Sequence, residues 1–218
     1  MRHRPIVLAS FLLAAPLLGA CASSGIAVRE FFGEAKRDQL VSRVEDARED
    51  QEEAKAQFAT ALDAFLALPG VEAGELEDAY VALKRELDRS EQRAEDVRKR
   101  IRQIEDVAGA LFAEWERELE DYADPELRER SGAQLQETFD QYNRLLERMY
   151  AAEATMDPVL AAFNDQVLFL KHNLNARAVA SLGGSLPGLE SDIQALITEM
   201  NASIAEADAF IEEMGGGV

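Results

Sequence analysis

Cysteine is almost absent from this chain: one, at position 21, in 218 residues. No internal disulfide can form, and one Cys with two His cannot assemble a structural zinc site. Aromatic residues are scarce at 7%, and positive charge is outnumbered, with 23 Lys and Arg against 42 Asp and Glu and a formal net charge of -19. An acidic chain of this kind repels phosphate backbones, which argues against nucleic acid as a partner. Sustained apolar/polar alternation is missing and β-branched residues are few, so no strand is predicted. The motifs of chemistry are missing as well. There is no phosphate-binding Gly-x-x-x-x-Gly-Lys-Ser/Thr loop, no Gly-x-Ser-x-Gly elbow and no EF-hand loop with its spaced Asp residues. A di-iron bundle needs Glu-x-x-His on facing helices, and the residue three before His172 is Phe169. The expectation is a chain without catalytic residues, bound metal or cofactor.

What is present begins with an address. Arg2 and Arg4 precede an apolar run from Ile6 to Leu18, followed by Leu18-Gly19-Ala20-Cys21. A charged start, a short apolar stretch and small residues before a cut make a secretory signal, and the run is too short for the roughly 20 residues of a membrane span. Leu, two small residues and Cys resemble the bacterial lipobox, in which the thiol of Cys21 is acylated and becomes the mature N-terminus. Ala22 rather than Asp after it resembles the sorting signal for the outer membrane of Gram-negative bacteria. Several acyl chains on one residue anchor stably, where a single chain is marginal. The organisation predicted is a removed signal at residues 1–20 and a lipidated Cys with tether at 21–33. One helical domain follows at 34–214, with a fraying Gly-rich tail at 215–218.

The remainder is heptads. Leu40, Val44, Ala47, Gln51, Ala54, Phe58, Ala61, Phe65 and Leu68 alternate by four and three, and only Gln51 is polar. Leu76, Tyr80, Leu83, Leu87, Ser90, Ala94, Val97, Ile101, Ile104, Ala108, Leu111 and Trp115 keep the same spacing, and only Ser90 is polar. A period of 3.5 is the signature of coiled-coil packing. A helix from Glu75 to Tyr122 would be about 72 Å long at 1.5 Å per residue, so the molecule should be elongated. Pro69-Gly70, Asp124-Pro125 and Gly183-Gly184-Ser185 mark turns. Asp157-Pro158 marks either a new helix or a kink. Leu127, Leu135, Phe139, Tyr142, Leu146 and Met149 carry a third stripe. Leu189, Ile193, Leu196, Met200, Ile204, Ala207, Ile211 and Met214 carry the last. The prediction is an all-α, elongated, antiparallel helical bundle or coiled coil of four to five helices. Four helices would share the end near residues 69–74, thinning to a three-helix coil near Tyr122. Trp115, on the stripe, is expected to pack in the core.

Two segments stand out by charge. Glu45, Asp46, Glu49, Asp50, Glu52 and Glu53 form an acidic run, read as a solvated face with Arg43, Arg48 and Lys55 as local partners rather than a cation site. In contrast, residues 158–182 hold a single acid, Asp165, around Lys171-His172-Asn173-Leu174-Asn175-Ala176-Arg177. Two readings stand side by side. Lys171, Asn173, Asn175 and Arg177 either form a partner- or ligand-binding patch on an apolar helix, or a polar layer that fixes the bundle's register as a buried Asn does. His172 alone reads as a structural residue rather than a ligand.

Several blocks resemble a known family. Lys36-Arg37-Asp38, Arg43-Val44-Glu45-Asp46-Ala47-Arg48, Gly74-Glu75-Leu76-Glu77, Met156-Asp157-Pro158-Val159-Leu160 and Phe169 through Arg177 are similar to blocks of the uncharacterised bacterial lipoproteins of domain-of-unknown-function family 2959. The resemblance implies a helical envelope lipoprotein and transfers no activity. The expected role is a non-catalytic scaffold, adaptor or spacer, held to the membrane by its acyl anchor, facing the periplasm and contacting an envelope protein. Rival readings are a membrane-shaping or lipid-interacting module, and a small-ligand binder using residues 171–177. Self-association stays open, because a long stripe serves a dimer as well as an intramolecular bundle.

Overall fold

A computed structural model describes residues 36–175, 179, 182–184 and 186–215. The signal, Cys21 and the tether lie outside the described residues, as do Arg177 and the last three positions. The described residues include four long helices: α1 (Lys36–Ala67), α2 (Leu76–Glu118), α3 (Pro125–His172) and α4 (Leu186–Gly215). Short 3-10 turns at Leu68–Gly70 and Ala73–Glu75 join α1 to α2, and one at Leu119–Asp121 ends α2. No strand occurs among the described residues.

The helices form an antiparallel ring. Each packs on its chain neighbours, and α1 closes the ring against α4. The first stripe lies in the core throughout, with every member from Leu40 to Leu68 buried. The second is buried or half-buried along its length. Phe163 of α3 stacks on Phe65 of α1 across the ring, with centroids 4.9 Å apart.

One open alternative is decided and two expectations are corrected. First, of the two readings of Asp157-Pro158, the new helix does not form: α3 runs 48 residues with Pro158 inside it. Proline removes one ladder hydrogen bond. Here the flanking Met156 and Val159 are buried and Asp157 meets Arg98 of α2 at 2.5 Å, so packing holds the helix through the break. Second, among the described residues the thin end contains two helices rather than three. Lys36, the first described residue of α1, pairs with Glu114 at 2.9 Å, and Arg37 donates to the carbonyl of Met214 in α4. Thus the described parts of α1 and α4 reach one level, and among the described residues only those of α2 and α3 continue into the tip. Third, the third stripe slips where partners run out. Leu127 and Phe139 are 47% and 41% exposed, while Thr138, Gln141 and Leu145 are buried instead. The α3 start behaves as expected: Asp124 caps it, accepting from the Glu126 and Leu127 amides, with Pro125 in the first turn.

Candidate functional site

The segment singled out by its composition ends α3. Lys171 and His172 occupy the last turn, where cationic side chains suit the helix dipole, and both are exposed. Asn173 terminates the helix: its backbone amide donates to the Leu170 carbonyl at 3.1 Å and its Nδ2 to the Phe169 carbonyl at 2.9 Å. The Asn175 amide turns back onto the Asn173 carbonyl at 2.8 Å, and Asn175 itself is exposed. Lys171, His172 and Asn175 therefore do not form a buried layer, and Asn173 spends its side chain on a cap. Around them the apolar side chains divide. Val167 and Leu170 are buried, whereas Leu168, Phe169 and Leu174 are 48%, 39% and 40% exposed. The result is an outward surface of large apolar groups beside a lysine and a histidine. Exposed Leu66, near the close of α1, lies at the same end of the bundle.

The polar layer exists elsewhere. Gln51 and Ser203 are fully buried, and Gln51 Nε2, Gln51 Oε1 and Ser203 Oγ have no hydrogen-bond partner. They sit at mid-height on α1 and α4, between the pairs Lys55–Asn201 and Arg48–Asp208 that bridge the same two helices. The sequence signal was visible, because Gln51 is the one polar member of the first stripe. Ser203 lies off the predicted stripe of α4 and gave none.

The acidic run of α1 is neutralised from across the groove as well as along its own helix. Arg43 meets Asp46 at 3.5 Å and Lys55 meets Glu52 at 2.5 Å, as local partners. The shorter contacts to the two Asp residues come from α2: Arg100 to Asp50 at 2.6 Å and to Asp46 at 3.0 Å. Arg93 reaches Glu53 at 2.6 Å. Hydrogen bonding to Asp50 raises the Arg100 pKa, and hydrogen bonding to Glu153 does the same for Arg98. Among the described residues no group of three or more His, Cys, Asp or Glu side chains is placed to hold a metal. The same residues contain no helix long and apolar enough to cross a membrane.

A second feature lies at the opposite end. A cavity of about 620 Å³ opens between body and tip, lined by Arg37, Leu111, Glu114, Trp115, Gln141 and Met214 among others. Trp115 is half-buried rather than fully in the core, and its Nε1 donates to Ser131 Oγ at 2.9 Å. Nothing in the sequence pattern marked this cavity, since its lining comes from α1, α2, α3 and α4 together.

The family model for proteins of unknown function DUF2959 matches residues 26–214. The chain belongs to this family. The DUF2959 match takes in all four helices, the capped end of α3 and the cavity, so both features lie inside the family's shared region. No curated protein and no solved structure matches the chain.

Proposed function

We propose that this DUF2959 protein is a non-catalytic spacer and adaptor of the bacterial envelope. In this reading Cys21 carries the acyl anchor at the outer membrane, and the bundle holds a partner-binding end away from it in the periplasm. One observation carries the reading: Leu168, Phe169 and Leu174 are exposed beside Lys171 and His172, at the end of the bundle remote from the start of α1. Large apolar side chains facing water next to cationic ones mark interaction surfaces, and the cationic groups suit an acidic partner. The 32 residues of α1 hold that surface about 48 Å from the point where the tether joins. A core packed along its whole length resists bending, which is what a spacer requires.

The test has two readouts. Cys21→Ser should move the protein from the membrane fraction to the soluble fraction. A photo-crosslinker at position 168 should trap one defined protein in intact cells, and a crosslinker at position 102, on the exposed face of α2, should not. Lys171→Glu should cut the yield from position 168 severalfold. Equal products from both positions, or lipid alone at position 168, would turn the reading toward a lipid-interacting module. Flotation with liposomes at low and high salt would then measure that alternative.

A further inference from the structure

The cavity at the junction of body and tip has the makings of a ligand site. Its volume of about 620 Å³ falls within the range of about 300–1,000 Å³ typical of small-molecule pockets. Leu111, Trp115 and Met214 give it an apolar and aromatic lining. Gln141 lines it too; this side chain is only 6% exposed, and its amide makes no hydrogen bond to the protein among the described residues. A ligand in the cavity would offer that amide a partner.

The charge around the cavity selects the ligand. Arg37 is the one cation in the lining and donates to the Met214 carbonyl, and the neighbouring Lys36 is held by Glu114 at 2.9 Å. Glu118, Glu137 and Glu213 also line the cavity and make no ion pair among the described residues. Carboxylates that outnumber the one lining guanidinium, beside an indole, form the surroundings that attract an organic cation, through Coulomb attraction and through the face of the ring. An anionic ligand would meet repulsion, and a neutral one would gain neither interaction.

We propose that this cavity binds a small organic cation, an ammonium group on an apolar or aromatic body. The charge faces Glu118 and Glu137, and the body lies against Trp115. The inference is independent of the adaptor reading, which concerns the opposite end of the bundle.

Trp115 is the only tryptophan in the chain, so its emission reports on the cavity directly. The full chain in non-ionic detergent is titrated with benzyltrimethylammonium and, separately, with benzyl alcohol, which keeps the ring and lacks the charge. The expected result is a saturable change with the cation at an affinity at least about fivefold above that for the alcohol, the scale of one cation–π contact. The double variant Glu118→Gln/Glu137→Gln should weaken the cation by at least about fivefold and leave the alcohol unchanged. Both glutamates are exposed, so the bundle should survive, and circular dichroism checks that it does. A response that fails to saturate, equal affinity for the two probes, or undiminished binding by the folded double variant would each overturn the proposal.

Discussion

The body and the tip are built from the same two helices, yet they treat identical kinds of residue differently. In the body, α2 and α3 have α1 and α4 beside them, and Leu83, Ile101, Met149 and Phe163 are at most 2% exposed. In the tip they have only each other, and Leu127 and Tyr122 are 47% and 42% exposed. A heptad stripe states which face of a helix is apolar. How deeply that face is buried depends on how many helices are present at that height, and the stripe carries no information about this. Elsewhere in the molecule aromatic contacts mark the transition: Phe112 meets Phe139 edge-on at 5.2 Å, which covers the core where the four-helix layers give out.

The sharpest way to break the contrast is to hollow out each region in turn. Phe163→Ala removes a fully buried ring stacked on Phe65, and should cost about 3–5 kcal/mol in chemical denaturation. Leu127→Ala in the tip should stay within about 0.5 kcal/mol. Equal costs would mean that the tip is covered in solution, for example by a second copy of the chain. A smaller effect of opposite sign is expected at mid-height. Gln51→Leu removes an amide whose nitrogen and oxygen are both buried and unpartnered, and should stabilise the body by about 1–3 kcal/mol, read as a higher midpoint of unfolding. The same change removes a register marker, since a lone buried polar group penalises displaced pairings. A local effect belongs to the start of α3. Asp124→Ala deletes its cap and should cost about 1 kcal/mol. That loss should appear as faster amide exchange over residues 126–130, with the exchange of the body unchanged.

How far the fold could be read from the residues follows from the same contrast. The stripes of α1 and α2 named the core almost residue by residue, because each lies in a region with neighbours on several sides and a strict 3.5 period suffices there. Asp124-Pro125 named the start of α3 because capping is local chemistry. Pro158 left two readings open, since the cost of a lost ladder bond is local and the packing of Met156 and Val159 that offsets it is not. The thin end was misjudged because helix lengths alone do not fix which helix stops at which level; the contacts of Lys36 and Arg37 do. Of the functional features, the unusual segment near Lys171 was visible as a gap in acidity. Its division into a cap at Asn173 and an outward surface at Leu168 and Phe169 needed the position of the helix end. The cavity was invisible, because Trp115 lay on a core stripe and the side chains that line it come from four helices far apart in sequence.

The closure of α1 against α4 has a consequence for how the chain assembles. Every other seam in the ring joins helices that follow one another, so α1 and α2 can pair before α3 has been made. The α1–α4 seam joins the first and last of the described helices and must wait for the 30 residues of α4. Until then α1 and α3 each present an uncovered apolar edge, and a nascent or truncated chain lacking α4 is an open trough rather than a smaller bundle. The bundle therefore closes in a single late event, and the interval before it is when this protein is most exposed to proteases and to its own neighbours.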